Sequence, residues 1–316
     1  MTVRSRYIIV KMLFGSHLYG TNTEQSDHDY KGVFIPEWED IVLQRVPHSI
    51  HTSTKKGSES KNSPDDVENE VYSIHYFLHL ACEGETVALD MLHAPAHMWI
   101  TSTDIWMQLV TKRHLFYTKN LKAFVGYARK QAAKYGVKGS RLTEAKRVLA
   151  FLKQEDPRLR LADVWDRLPR GEHIHFSENE TGPLYEVCGK MLSARAYVSH
   201  YIPMLEAFVL RYGERAKQAE RNEGVDWKAV SHAFRAAYQV KHILVDGGYT
   251  YPLPETDWIM KVKCGGLHYA NEVGPALDAL MDELEGLSRV SKLPAEVDRT
   301  YWDDWLVNLI NREVVL

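Results

Sequence analysis

One stretch near the amino terminus, residues 14–35, constrains the fold of this chain more than any other. It reads FGSHLYGTNTEQSDHDYKGVFI and connects two apolar runs, Tyr7–Phe14 and Val33–Ile35. Both runs are typical of buried strands. The first ends at Gly15-Ser16, where glycine permits a close approach between the backbone and a ligand. The sequence therefore predicts two strands joined by a polar, glycine-containing turn.

Asp27 and Asp29 come at the start of the second predicted strand. Residues i and i+2 of an extended strand share a face, so we expect these two carboxylates to lie side by side. Like charges that are partly buried repel each other, and a divalent cation removes that conflict. Gly15 and Ser16 offer backbone N–H groups and a hydroxyl, which suit phosphate oxygens. The pattern predicts a metal-binding element beside a phosphate-binding element.

Gly-Ser, ten further residues and Asp-x-Asp, with strands on both sides, resemble the signature of the DNA polymerase beta-like nucleotidyltransferase superfamily. The fuller string GSHLYGTxTxxSDxDYxGVF resembles a bacterial and phage subfamily of predicted nucleotidyltransferases. The resemblance implies that Asp27 and Asp29 are catalytic and bind two Mg²⁺ or Mn²⁺ ions. It also implies that Gly15, Ser16 and His17 hold the β- and γ-phosphates of a nucleoside triphosphate.

Residues 67–73, VENEVYS, alternate and predict a third strand. Members of the superfamily carry their third metal carboxylate on such a strand. The resemblance aligns Glu70 with that position, so Glu70 is the predicted third ligand and catalytic residue. Glu68 and Asp66 stay open as alternatives. Asp90, in a predicted helix, is either a ligand-orienting residue or an ordinary surface carboxylate.

The expected fold class is α+β, with a small mixed-sheet nucleotidyltransferase domain followed by a mostly helical domain. We place the catalytic domain at residues 1–103 and the helical domain at 104–316. Residues 171–192 combine β-prone pieces with a turn-rich segment and predict a hairpin inserted into the helical domain. The polar residues 48–66 predict a loop, either a cover for the substrate or a plain surface loop.

A predicted helix that begins after Asp226 places Lys228, His232 and Arg235 on one face, at positions i, i+4 and i+7. Two permanent cations and one titratable donor suit phosphate oxygens. This part of the chain also resembles the subfamily, so we predict that the three residues contact the nucleotide. The alternative is an ordinary solvated helix face.

Charge and composition limit the partners. Residues 112–160 contain 14 Lys/Arg and 3 Asp/Glu, a local net charge of +11 in a chain whose total is −3. A basic segment of this kind can follow a phosphate backbone, which predicts RNA or another nucleic acid as a partner. No apolar run approaches the ~18 residues of a membrane span. Three scattered cysteines and no signal-peptide core predict a cytoplasmic protein without a membrane contact.

Together these features predict the transfer of a nucleoside monophosphate from an NTP to an acceptor hydroxyl, with release of pyrophosphate. The predicted acceptor is an RNA 3′ end. Three alternatives stay open: AMPylation of a protein, nucleotidylation of a small molecule, and a non-catalytic regulatory module that binds a nucleotide. Salt-dependent RNA binding through the basic segment favours the first prediction, whereas nucleotide binding that does not depend on metal favours the last alternative.

Overall fold

The computed structural model describes residues 7–54, 63–119, 139–171, 173–179, 182–220 and 222–315. The described residues divide into two compact units. The first unit comprises those within 1–130, 227–266 and 279–316, and the second comprises those within 131–226 and 267–278. Every predicted site residue belongs to the first unit. The domain boundary predicted between residues 103 and 104 remains a prediction.

The first unit is built on a five-stranded mixed sheet. Its strands are β1 (Tyr7–Leu13), β2 (His28–Ile35), β3 (Ser49–Ser53), β4 (Val67–Ser73) and β5 (Trp99–Ser102). The order across the sheet is β3-β4-β2-β1-β5, with β2 and β4 parallel and the other pairs antiparallel. The parallel pair places the starts of β2 and β4 side by side, which is where the predicted carboxylates lie.

Helices make up most of the described residues that follow the sheet, as predicted. The α-helices of the described residues are α1 (Gly15–Tyr19), α2 (Trp38–Val42), α3 (Ile74–Cys82), α4 (Thr86–His93), α5 (Asp104–Thr111), α6 (Gly139–Gln154), α7 (Val198–Glu220), α8 (Trp227–Asp246), α9 (Thr256–Cys264), α10 (Gly274–Val290) and α11 (Arg299–Ile310). Within the described ranges, no helix combines the length and the apolar character that crossing a membrane requires. The mixed sheet followed by these helices confirms the predicted α+β fold class. The cytoplasmic location remains a prediction.

The apolar side chains are buried at the spacings that the sequence predicts. On α3 they repeat with the period of a helix, at Ile74, Phe77, Leu78 and Ala81. On β2, Val33, Phe34 and Ile35 are buried, whereas Asp29 near the start of the strand is half-buried. The core thus fixes the carboxyl end of β2 and leaves its polar start partly exposed.

One part of the predicted loop at residues 48–66 is a strand instead. Ser49–Ser53 form β3, which pairs with β4 at the edge of the sheet. Its sequence, SIHTS, has one strongly apolar residue, so the strand has no clear alternation and depends on pairing with its neighbour. Residues 55–62 lie outside the described residues, and so does the predicted role of this loop as a substrate cover.

The second unit contains a small antiparallel sheet of β6 (Ile174–Asn179), β7 (Gly182–Val187) and β8 (Lys190–Ser193), in that order. The hairpin predicted at residues 171–192 is confirmed, and β8 extends it to three strands. The sequence did not predict β8, because four residues of mixed polarity carry no periodic signal. Residues 120–138, which are 19 of the 49 residues of the basic segment, lie outside the described residues.

Candidate active site

Gly15 and Ser16, the predicted Gly-Ser turn, form the first turn of the short helix α1 and lie directly against the carboxylate of Asp29. The backbone N–H of Phe14 donates to the Asp29 carbonyl oxygen at 2.7 Å, which extends the pairing of β1 and β2 up to the turn. Gly15 has a φ of +61°, and a Cβ atom built there would lie 2.8 Å from Asp29 Cγ and overlap Oδ2. Glycine accepts both this backbone conformation and this contact. The predicted phosphate-binding turn and a predicted metal-binding carboxylate are therefore adjacent.

Ser16 adds a hydroxyl to this turn. Its Oγ atom is buried and has no hydrogen-bond partner in the chain as far as the structure describes it. An unpaired buried hydroxyl costs roughly 1–3 kcal/mol. The turn around it is closed by a hydrogen bond from Thr21 N to the Ser16 carbonyl at 2.9 Å. An unused hydroxyl on the residue that follows Gly15 is consistent with the phosphate contact predicted for Ser16.

Three carboxylates interact at the start of β2 and β4. In the parallel register, Asp29 lies beside Glu68, on the same face of the sheet as Asp27. Burial raises the pKa of Asp29, and the negative charges of Asp27 and Glu68 raise it further, whereas Lys31 and Lys228 lower it. The net pKa is above the usual range of an aspartate. The charges of Asp27 and Glu68 therefore oppose the ionisation of Asp29.

Glu70, the predicted third metal ligand, lies two residues further along β4, beside Lys31. Its Oε2 accepts hydrogen bonds from Lys31 Nζ and Tyr72 OH, both at 2.6 Å, and its Oε1 accepts one from Ser49 Oγ at 3.0 Å. Burial raises the pKa of Glu70, but these three donors lower it, and the net pKa is below its usual value. Both oxygens of Glu70 are thus engaged by the protein itself.

The two alternatives for the third carboxylate have different surroundings. Asp66 Oδ2 accepts hydrogen bonds from Ser63 N at 2.7 Å and Ser63 Oγ at 3.0 Å, so Asp66 stabilises a local turn. Glu68 lies beside Asp29, and its charge acts on that side chain. The structure thus brings Glu68, rather than Asp66 or Glu70, together with the aspartate pair.

The carboxylate set has the donor chemistry of a magnesium site. Mg²⁺ is bound by one or two carboxylates together with substrate phosphates and waters. Asp29 is half-buried beside two like charges, a conflict that a divalent cation relieves. Among the residues that the structure describes, no three His, Cys, Asp or Glu side chains are positioned to enclose a metal ion. The carboxylate oxygens of Asp27, Asp29 and Glu68 therefore have the chemistry that suits a divalent cation.

Helices α8 and α9 bring positive charge to the site. Lys228 of α8 acts on Asp29 and lowers its pKa. Lys263 of α9 donates from Nζ to the Thr21 carbonyl oxygen, at the end of the Gly-Ser turn, at 2.6 Å. Burial lowers the pKa of Lys263, the charge of Lys228 lowers it further, and Asp27 raises it. Two neighbouring ammonium groups of this kind form a position that favours an anion such as a phosphate.

Arg235 lies against the ring of Tyr19, the last residue of α1. Its guanidinium carbon is 3.5 Å from the ring centroid, and its Nη2 is 4.0 Å from Asp90 Oδ2. Its Nε and Nη1 are buried and have no hydrogen-bond partner in the described ranges. His232 lies on the same helix, between Lys228 and Arg235, and is half-buried. Arg235 is therefore fixed behind the Gly-Ser turn with donor groups still unused.

A buried hydrogen-bond network holds Tyr19 in place. Its acceptor is Asp90, which is 1% exposed. Asp90 accepts hydrogen bonds from Tyr19 OH at 2.9 Å, Tyr251 OH at 2.7 Å, Gln239 Nε2 at 2.5 Å and Tyr249 OH at 3.2 Å. Asp90 is thus a buried residue that supports α1 and Arg235, and the interpretation of Asp90 as a surface carboxylate is wrong.

His17, the third predicted residue of the turn, contacts a different part of the sheet. It stacks on His28 with ring centroids 4.7 Å apart and planes 8° from parallel. Because side chains alternate along a strand, His28 lies on the opposite face of β2 from Asp27 and Asp29. The structure places His17 with His28, and a phosphate contact from His17 remains a prediction.

Two features of the site could not be identified from the sequence. Nothing in the local sequence distinguishes Lys263 from Lys261, because the contact of Lys263 with Thr21 joins residues 242 positions apart. Glu68 and Glu70 share one face of one strand, so the strand register alone decides which of them lies beside Asp29. Both assignments depend on long-range pairing, for which the sequence carries no periodic signal.

A mixed sheet with a carboxylate pair beside a Gly-Ser turn is the arrangement of a polymerase beta-like nucleotidyltransferase. Residues 4–155 match RlaP, the RNA repair pathway DNA polymerase beta family. The chain is 39% identical over 322 residues to a protein of Enterobacteria phage T4 named "Uncharacterized 38.9 kDa protein in nrdC-mobD intergenic region". That similarity covers 94% of this chain and 95% of the phage protein. The chain belongs to the RNA repair pathway DNA polymerase beta family, which confirms the resemblance seen in the sequence. No solved structure matches it.

Proposed function

We propose that the protein is a metal-dependent nucleotidyltransferase that moves a nucleoside monophosphate from an NTP to an acceptor hydroxyl. We further propose that the acceptor is an RNA 3′ end. The close packing of Gly15 against Asp29 carries the proposal, because it joins a phosphate-binding turn to a metal-binding carboxylate. The description of the family as one of RNA repair supports RNA as the acceptor.

Asp27, Asp29 and Glu68 are the residues that would hold the divalent ions, and Mg²⁺ or Mn²⁺ suits their carboxylate oxygens. When bound, such ions neutralise charge on the phosphates and lower the pKa of a coordinated hydroxyl. We assign the third position to Glu68 instead of Glu70, because both oxygens of Glu70 already accept hydrogen bonds from the protein.

The other groups of the site bind and orient the triphosphate. The backbone N–H groups of Gly15 and Ser16 and the Ser16 hydroxyl donate to its β- and γ-phosphates, and Lys228 and Lys263 neutralise their charge. His232 and Arg235 follow Lys228 along α8, and the Nε and Nη1 of Arg235, which lack a partner among the described residues, are further donors for a phosphate.

In the transfer itself, the acceptor oxygen attacks the α-phosphorus and its proton is released to water. The bond from the α-phosphorus to the oxygen that bridges the α- and β-phosphates breaks, and pyrophosphate leaves with the electron pair of that bond. Groups that hold the charge of the leaving pyrophosphate in place favour this step.

The test is a transfer assay with each NTP labelled at the α-phosphate, Mg²⁺ or Mn²⁺, and total RNA. The wild-type protein should transfer label to RNA. Asp27→Asn should transfer on the order of 1,000-fold less, because loss of a metal ligand removes several kcal/mol of transition-state stabilisation. Circular dichroism checks that this variant is folded.

Each other outcome of the assay selects a different function. Label on protein indicates AMPylation, and label on neither RNA nor protein, with NTP still bound, indicates a regulatory module. Undiminished transfer by Asp27→Asn contradicts the proposed metal site.

A further inference from the structure

A second set of side chains lies at the same end of the sheet as the carboxylates, but on its opposite face. Alternation along β2 places His28 and Tyr30 on this face. The register of β2 and β4 adds Asn69 beside Tyr30, and Lys11 of β1 lies with its Nζ 5.3 Å from the Tyr30 ring centroid. Together with His17, which stacks on His28, these five residues are called the aromatic strip. All five side chains are half-buried and so keep part of their surface open.

The three rings of the aromatic strip follow one another with nearly parallel planes. The ring centroids of His17 and His28 are 4.7 Å apart with planes at 8°, and those of His28 and Tyr30 are 6.5 Å apart with planes at 15°. Successive flat rings with a cation at one end are the arrangement on which unpaired nucleobases stack while a phosphate is neutralised.

The aromatic strip also has unused hydrogen-bonding capacity. His17 Nε2, His28 Nδ1 and Asn69 Oδ1 are buried and lack a hydrogen-bond partner among the residues described. A metal ion shared by the two histidines does not explain them, because an imidazole lone pair lies in the ring plane and these two planes are parallel. The edges of a nucleobase present both donors and acceptors, which match such a mixed set after small side-chain movements.

We propose that the aromatic strip binds unpaired nucleotides of a single-stranded nucleic-acid acceptor, next to the end that reacts. This inference rests on the proposed function and specifies its substrate class as a single-stranded end rather than a blunt duplex. Bases stack on Tyr30 and the histidine pair, and Lys11 contacts a phosphate. The acceptor then passes around the start of β2 to reach Asp29, because His28 directly precedes that residue. Sheets that present aromatic rings bind single-stranded RNA in the same manner.

The test measures the binding of a fluorescent single-stranded RNA 12-mer by anisotropy, without NTP and with EDTA present. Tyr30→Leu should raise the Kd about tenfold, within the range for loss of one base–aromatic stack. Tyr30→Phe keeps the ring and should bind as the wild type does. Tyr7→Leu is the matched control, because Tyr7 is an exposed tyrosine at the far end of the same strand pair. Lys11→Met should reduce the slope of log K against log salt by about 1.

Crosslinking provides a measurement that does not depend on a variant that folds. RNA carrying 5-iodouracil should crosslink to the wild-type protein within the peptide that contains His28 and Tyr30. An unchanged Kd for Tyr30→Leu, equal affinity for a blunt duplex, or crosslinks confined to other peptides would overturn the proposal. The binding assay contains neither NTP nor metal, so a failure of the proposed transfer chemistry leaves its result intact. Conversely, transfer to RNA with an unchanged Kd for Tyr30→Leu keeps the proposed function and removes only this inference.

Discussion

Two neighbouring positions of the β2/β4 pair carry opposite arrangements of charge. At the first position, Asp29 lies beside Glu68, and the like charge of Glu68 helps to raise the pKa of Asp29. Two residues further along, Lys31 lies beside Glu70, an ion pair with a 2.6 Å contact and a lowered pKa for Glu70. The two strands and the face are the same, so the difference comes from the side chains around each carboxylate: like charges around Asp29, and the donors Lys31, Tyr72 and Ser49 around Glu70.

The comparison separates a site that needs a ligand from one that is complete. Neighbouring carboxylates are unfavourable until a cation or a proton joins them, so a protein retains them where they bind something. A carboxylate that already accepts hydrogen bonds from a lysine, a tyrosine and a serine has its charge satisfied by the fold. We therefore infer that the Asp29–Glu68 position is reactive and that the Lys31–Glu70 position is structural.

Apart from the carboxylate variants, the largest effect is expected at Gly15. Gly15→Ala forces a methyl group against the Asp29 carboxylate and should lower nucleotidyl transfer on the order of 100-fold, because small displacements of reacting groups have effects of that size. Gly189→Ala is the matched control, since Gly189 also has a positive φ, +84°, with nothing within 4 Å of a built Cβ. It should cost about 1–2 kcal/mol of stability and leave transfer unchanged. Equal transfer rates for the two variants would show that the close approach of Gly15 to Asp29 does not matter for transfer.

A smaller effect is expected at Lys263. Lys263→Met removes an ammonium group beside the Gly-Ser turn and should raise the KM for NTP about tenfold, the loss expected for one charge-assisted hydrogen bond. Lys261→Met, two residues earlier on the same helix and exposed, is the control and should not change KM. Steady-state kinetics at saturating acceptor measures both variants. A fall in kcat without any change in KM would instead place Lys263 at the transition state.

The smallest effect is expected at His242, a residue of α8 that pairs with Asp246 and Glu255. Burial lowers its pKa, but hydrogen bonds to Asp246 at 2.7 Å and Glu255 at 3.1 Å raise it above the usual value. A raised folded-state pKa stabilises the protein fully below the unfolded value of about 6.5, and this stabilisation is lost as pH rises through the folded pKa. In the wild type, this contribution to the free energy of unfolding is less than about 1 kcal/mol. Thermal unfolding of His242→Gln at several pH values should show that the variant lacks it. If the wild-type protein gained stability as pH rises above about 6.5, the predicted contribution of His242 would be contradicted.

The sequence predicts much of this site because its signals are local. A strand, a Gly-Ser turn and Asp-x-Asp lie within one stretch, and the contact of Gly15 with Asp29 follows from that stretch. The identity of the third carboxylate depends on the register between β2 and β4, and the contribution of Lys263 depends on a helix far along the chain. The burial of Asp90 likewise depends on tyrosines and a glutamine from distant segments. Long-range pairing of this kind leaves no trace in local periodicity.

The most direct test of the difference between the two positions compares Glu68→Gln with Glu70→Gln in the α-labelled NTP transfer assay. We predict that Glu68→Gln lowers transfer on the order of 1,000-fold with little change in melting temperature. Glu70→Gln should keep transfer close to the wild-type rate and lose about 1–2 kcal/mol of stability, as Lys31 loses its partner. The opposite result, a Glu68→Gln variant that transfers normally and a Glu70→Gln variant that is folded and inactive, would contradict the assignment and restore Glu70 as the third ligand.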